Sequence, residues 1–134
     1  QYVAQAVADG NLVLAAKNQN RVTYQDPCRL GRYLGIYDEP RMLLAALGLD
    51  LREMERVRSA SLCCGTTGWT SCGQISKNIQ IERLQEASRT GVSRMITACV
   101  KCQIHFRCAQ QDPLLENKLN LKIQDLTTLI ASHL

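Results

Sequence analysis

Aromatic residues are scarce in this chain: one Trp, one Phe and four Tyr make up 4% of 134 residues. Proteins that grip nucleic acid through stacked bases set rings between basic side chains. A formal charge of +4 on a chain so poor in rings argues against that partner. Long apolar runs are missing as well. No stretch approaches the ~18 to 20 uncharged apolar residues that a membrane span requires, and no secretory signal pattern opens the chain. There is no internal repeat and no low-complexity linker, so one domain is expected. With 46% apolar residues it has enough to build a core without staples. The first residue is Gln1 rather than Met, as expected of a piece of a longer protein.

Cysteine, by contrast, is abundant: seven residues, at positions 28, 63, 64, 72, 99, 102 and 108. The count is odd and nothing suggests secretion, which argues against a full disulfide framework. Clustered cysteines in a reduced, cytoplasmic chain more often bind metal or do redox chemistry. Cys63 and Cys64 are adjacent and followed at once by Gly65, and neighbouring cysteines scarcely bond to each other.

Around the cysteines, strand and helix patterns alternate. Arg21 to Gln25 is β-rich and stops at Asp26-Pro27, because proline bars the preceding residue from the helical region. Pro40 to Leu47 predicts a helix with Leu43, Leu44 and Leu47 on one face and Gly48 as its stop. The stretch LDLREMERV alternates as a half-buried edge strand does. A helix is expected over Ile75 to Thr90, closed by Gly91, then a strand over residues 92–98 and a helix over Val100 to Gln111 ended by Asp112-Pro113. A short strand, LKI, then precedes a C-terminal helix with Ile123, Leu126, Leu129, Ile130 and Leu134 on one stripe, and Tyr2 to Ala8 suits another helix. This alternation predicts an α/β fold: a layered domain with a mainly parallel sheet and helices on both faces.

Such a sheet gathers the cysteines. Cys28 follows the first strand, Cys63 and Cys64 the second, and Cys99 stands where the third gives way to a helix. Sites in open parallel sheets form beyond the carboxyl ends of the strands, so five sulfurs are expected at that edge. Cys99 and Cys102 lie one helical turn apart, and the helix start there favours thiolate.

The pattern Cys28-x34-Cys63-Cys64-Gly65-x33-Cys99-x2-Cys102 resembles the cysteine-rich (CCG) domain of heterodisulfide reductase catalytic subunits and related iron–sulfur oxidoreductases. Those relatives include the third subunit of anaerobic glycerol-3-phosphate dehydrogenase, lactate-utilisation proteins and membrane-associated oxidoreductases of sulfate reducers. The likeness extends through VTYQDPCRLGRYLGIYDEPR, ISKNIQIERLQEASRTGVSRMITACVKC and KIQDLTTLIASHL, nearly the whole chain from Arg21 onward. It implies that residues 21–134 form the cysteine-rich domain after an N-terminal helical segment, 1–20.

The resemblance further implies that Cys28, Cys63, Cys64, Cys99 and Cys102 ligate an iron–sulfur cluster, a non-cubane 4Fe–4S assembly in heterodisulfide reductases. Five thiolates exceed what a cubane or a zinc ion needs. The implied partners are a ferredoxin-like iron–sulfur domain or subunit and a flavin or membrane cytochrome. The implied substrate is a disulfide or is linked to quinone, and the implied location is cytoplasmic or at the inner face of a membrane. Two departures stand out. Gln25 replaces the histidine that family members carry before Asp-Pro-Cys, and GTTGWTSCG, with Trp69 and Cys72, replaces a glycine run. If that loop lines the substrate approach, both changes bear on a heterodisulfide substrate.

Outside the motif, Cys108 is expected to be a buried free cysteine, and Cys72 is a spare ligand, a redox partner or neither. His105 and His133 are read as ordinary helix residues. Arg29, Arg32, Lys77 and Lys101 are read as a solvated face that also offsets cluster charge. Besides an iron–sulfur domain, two readings stay open: a structural zinc domain, and a thiol–disulfide oxidoreductase using Cys99 and Cys102.

Overall fold

The computed structural model describes residues 1–16, 20–65, 72–112, 119 and 121–134. Four strands, β1 (Arg21–Gln25), β2 (Asp50–Leu51), β3 (Arg94–Thr97) and β4 (Lys122–Asp125), form one sheet in the order β2-β1-β3-β4. Every pairing is parallel: Val22 stands beside Leu51, Tyr24 beside Ile96, and Ile96 beside Gln124. Parallel neighbours need crossovers, and helices supply them: α2 (Asp38–Ala46), α3 (Gln74–Arg89) and α4 (Val100–Gln110), with α1 (Tyr2–Ala8) before the sheet and α5 (Leu126–Ala131) after it.

Alternation along the strands divides the core between the two faces. Val22, Tyr24 and Ile96 pack with Ala4, Leu44, Leu47 and Leu129 under α1, α2 and α5. Met95 and Ile123 pack with Leu84, Ala87, Phe106 and Ala109 under α3 and α4. The expected layered α/β architecture with helices on both faces is the one observed. Because β1 leads outward to β2 while β3 leads outward to β4, the strand order reverses between β1 and β3. Crevices for ligands open at that switch point, outside the carboxyl ends.

Several local expectations need correction. The stretch 49–57 is a strand only at Asp50–Leu51. Beyond Leu51 the chain leaves the sheet, and its alternation reflects Met54 and Val57 joining the α3/α4 core while Arg56 binds α3. Ile123 lies on β4 rather than on the last helix, and Leu134 is 73% exposed, so the apolar stripe ends at Ile130. Helix α2 begins two residues before Pro40, with Asp38 and Glu39 in its first turn, where carboxylates suit the dipole. Two single-turn elements go beyond the expected set: a π-helical turn at Arg29–Tyr33 and a 3-10 turn at Arg58–Ala60.

Candidate functional site

Each motif cysteine sits at or beyond the carboxyl edge because of what precedes it. Cys28 opens the π-helical turn after β1. Cys63 and Cys64 follow the 3-10 turn, and Cys99 is the N-cap of α4, with extended backbone angles (φ −148°, ψ 115°). Cys64 and Cys102 are buried, and Cys28, Cys63 and Cys99 are half-buried.

The five thiols act on one another. Hydrogen bonds link the side chains of Cys63 and Cys64, of Cys64 and Cys102, and of Cys102 and Cys99, and Cys28 is close enough to Cys63 to oppose its ionisation. Among the described residues no three such side chains converge on one point as ligands of a single ion; the sulfurs form a chain of neighbours instead.

Their charges are unequal. Cys99 accepts a hydrogen bond from the Cys102 thiol, and the backbone N–H groups of Cys102 and Lys101 add to it. Together these outweigh burial and bring its pKa down to about 6. Cys63 is pushed up, first by its hydrogen bond to Cys64 and then by burial and like charge. Cys102 is pushed up by hydrogen bonds to Cys64 and Cys99 and by burial. Crowded thiols resist losing their protons together, because thiolates repel; metal ions among them would remove that penalty. A cluster of soft, crowded sulfur donors with one thiolate already favoured suits an iron–sulfur group.

The double-cysteine loop is held by polar contacts that sequence reasoning missed. Gln25, 1% exposed, donates from Nε2 to the carbonyls of Leu62 (3.0 Å) and Asp26 (3.1 Å), and its Oε1 accepts from Arg83 Nε (2.5 Å). Arg83, fully buried on α3, also donates to the Arg56 carbonyl (2.8 Å) and Ser61 Oγ (2.9 Å) and pairs with Glu86 (3.0 Å). Burial pulls the Arg83 pKa below its usual value. Gln25 thus faces the interior and ties β1 to the double-cysteine loop. Trp69, in the loop after Gly65, lies outside the described residues.

Asp26 completes the frame. Its carboxylate accepts from Arg41 at 2.8 and 2.9 Å and from the Arg58 N–H at 2.8 Å. That last contact holds Arg58 at a φ of 56°, a strained conformation for a non-glycine residue. Gly65 has a φ of 80°, and a Cβ there would stand 2.5 Å from the Ser76 carbonyl oxygen and 2.9 Å from Gln80 Cγ. Only glycine fits beside the double cysteine.

The remaining candidates fall elsewhere. Arg32 is exposed as expected, and its guanidinium also donates to the Ser61 and Ser59 carbonyls. Lys77 donates to the carbonyl and sulfur of Cys108 (3.0 and 3.2 Å), and Arg29 is exposed. Cys108 itself is exposed, which overturns the expectation of a buried thiol: its helical position points away from Phe106 and Ala109. His133 lies in the turn just past α5 rather than in a helix, its Nδ1 2.9 Å from the Leu129 carbonyl oxygen, whereas His105 is on α4, where its Nδ1 accepts from Gln80 Nε2. A cavity of about 550 Å³ opens at the opposite edge between Arg21, Arg94 and Lys122, and holds no thiol.

A signal for the buried network existed in the sequence. Gln80, Arg83, Leu84 and Ala87 occupy the inward stripe of α3, so a cation stood on an apolar face. Glu86 lies three residues on, but its other partners are 22 to 58 positions away, and no local pattern names them.

Fold and site together define a doubly wound α/β domain whose switch point carries a multi-thiol centre. The model of the cysteine-rich domain family (CCG) matches residues 22–107, which include all five motif cysteines. The chain belongs to that family. It is 37% identical over 103 residues to a probable membrane-anchored ferredoxin of Chromohalobacter salexigens, covering 75% of this chain and 15% of that protein. It is 31% identical over 116 residues to a subunit of the dihydromethanophenazine:CoB–CoM heterodisulfide reductase of Methanosarcina acetivorans, covering 84% and 27%. It is 33% identical over 106 residues to the probable iron-sulfur-binding oxidoreductase FadF of Bacillus subtilis, covering 76% and 15%. The chain thus spans roughly a quarter or less of each of these relatives.

Proposed function

We propose that residues 21–134, behind the N-terminal segment 1–20 that carries α1, are an iron–sulfur domain of a heterodisulfide-reductase-type oxidoreductase. The domain passes electrons and supports reduction of a disulfide to two thiols by two electrons and two protons. Cys28, Cys63, Cys64, Cys99 and Cys102 hold the cluster, and the donor count favours a non-cubane 4Fe–4S form over zinc. One observation supports this reading above others: at the switch point of a family-matched fold, thiols from three loops neighbour one another in a chain, Cys28 to Cys63, Cys63 to Cys64, Cys64 to Cys102 and Cys102 to Cys99. When bound, the cluster supplies one-electron steps. The protein supplies thiolate at Cys99, a fixed double-cysteine loop through Gln25 and Arg83, and burial at Cys64 and Cys102.

Electrons enter through a ferredoxin-like iron–sulfur domain or subunit and leave to, or arrive from, a flavin or membrane cytochrome partner. The kinship with a named membrane-anchored ferredoxin supports a place at the inner face of a membrane through such a partner. Among the described residues no helix is long and apolar enough to cross a membrane.

Anaerobically prepared protein tests the assignment. Iron and acid-labile sulfide are expected in equal amounts, with an EPR signal on oxidation or reduction. Cys64→Ser is expected to lose most of the iron and Cys108→Ala none. Zinc without sulfide, or equal losses from both variants, would overturn the reading.

A further inference from the structure

Two thiols stand outside the five. Cys72 lies two residues before α3 and Cys108 in the C-terminal half of α4, and both are exposed. Buried cysteine packs as a small apolar residue, but an exposed one is free to react. The seam where α3 meets α4 brings a side-chain donor from one face of α3 to each. Gln80 Nε2 donates to Cys72 Sγ at 3.2 Å, and Lys77 Nζ donates to Cys108 Sγ at 3.2 Å. Lys77 and Gln80 are three residues apart and so neighbours on the helix surface.

The other side of the seam repeats the spacing. Gln80 Nε2 also donates to His105 Nδ1 at 3.0 Å, and His105 stands one turn before Cys108 on α4. Cys72 therefore meets the seam at the level of His105, and Cys108 meets it one turn further on. The Lys77 ammonium touches Cys108 and is near enough to Cys72 to feel its charge. Burial works against its charge, but its contact with Cys108 and the electrostatic influence of Cys108, Cys72 and Asp112 raise its pKa overall. Asp112, at 3.5 Å, shares the same ammonium. Positive charge thus stands where negative charge gathers on sulfur during thiol exchange.

We propose that Cys72 and Cys108 form a second redox site, a dithiol that exchanges with low-molecular-weight disulfides independently of the five motif cysteines. Cys108 Sγ attacks one sulfur of the disulfide. The S–S bond breaks, one half leaves as a thiolate, and that thiolate takes up the proton Cys108 lost. Cys72 Sγ then attacks Cys108 Sγ in the mixed disulfide, the second half leaves as a thiol with the Cys72 proton, and a Cys72–Cys108 bond closes. The protein gives up two electrons and two protons, and the small disulfide gains both as two free thiols.

The test treats anaerobic, cluster-containing protein with glutathione disulfide, blocks free thiols by alkylation, and maps the digest by mass spectrometry. A peptide pair joined through Cys72 and Cys108 is expected, with two equivalents of glutathione released per chain. In Cys72→Ser the adduct should stop as a glutathione mixed disulfide on Cys108. In Cys108→Ser no cross-link should form. Lys77→Met should slow capture at Cys108 several-fold and leave the rate at a motif thiol unchanged. Both cysteines are exposed, so these substitutions leave the core intact. An unmodified Cys108 beside glutathionylated motif thiols would overturn the proposal, and so would a Cys108 adduct that persists while Cys72 is present. Iron content, read on the same samples, reports separately on the five-cysteine site.

Discussion

The two faces of the sheet are built from different materials. Under α1, α2 and α5 the buried contacts are almost all hydrocarbon: Val22, Leu44, Leu47, Ile96 and Leu129 are each at most 2% exposed. Under α3 and α4 the core also encloses Gln25, Gln80, Arg83, Glu86 and Thr97, all similarly buried and interspersed with Leu84 and Phe106. Hydrophobic burial is non-directional and roughly proportional to area. Hydrogen bonds to a buried guanidinium have direction and are costly to leave unmade. The apolar face supplies stability, and the polar face supplies position, and the polar one lies beneath the cysteine loops.

Substitutions can break that contrast. Arg83→Met leaves the Glu86 carboxylate with Arg56 alone and removes the donors to Gln25, Ser61 and the Arg56 carbonyl. Removing one partner of a buried pair typically costs about 3 to 5 kcal/mol, read as a lower urea midpoint, and iron retention should fall with it even below that midpoint. A cost within about 0.5 kcal/mol, as for a surface site, would show that the polar face is not structural. Leu44→Ala on the other face should cost about 2 to 5 kcal/mol yet leave the iron content of the folded fraction unchanged. If Leu44→Ala strips iron from folded protein, the division of labour fails.

Gly65→Ala sharpens the comparison at the loop itself. A left-handed backbone with a side chain costs about 1 to 3 kcal/mol, and the new methyl group would also press on the Ser76 carbonyl. Iron binding should weaken more than unfolding resistance does. The smallest effect concerns pH. Burial opposes ionisation of Glu86, but the Arg56 N–H and the Arg83 and Arg56 guanidinium groups outweigh it and hold its pKa below the usual carboxylate value. The unfolded chain then binds a proton more readily than the folded one as pH falls. The stabilisation is present above the unfolded carboxylate pKa and is lost as pH drops through the lower folded value. Urea midpoints measured from neutral to acid pH should decline less steeply in Glu86→Gln than in the parent.

The same contrast separates what the sequence discloses from what it hides. The hydrocarbon face is legible because its rules are local: Leu43, Leu44 and Leu47 announce an amphipathic helix, and Asp26-Pro27 ends β1 at the observed residue. The cysteine edge is legible because a parallel sheet sends every strand's end to one side. The stretch 49–57 misleads because alternation is also what a meandering loop shows when Met54 and Val57 turn inward. The buried polar network stays hidden because Gln25 and Arg83 are 58 positions apart, so the cation on the inward stripe of α3 is visible in the sequence but its partner is not. Cys108 misleads on residue type, since its neighbours Phe106 and Ala109, whatever its own chemistry, occupy the inward side of α4.

The pairing of β1 with β3 also imposes an order in time. Thr97 Oγ1 donates to the Gln25 carbonyl at 3.3 Å, a closure across 72 positions that brings the Cys28 loop beside the start of α4. Contacts so distant along the chain are slow to form, because loop entropy must be overcome before they reward the fold. A growing polypeptide therefore displays Cys63 and Cys64 long before Cys99 and Cys102 have been synthesised. The thiol cluster comes into being only with the central strand pair, and before then only three of its five motif cysteines are present.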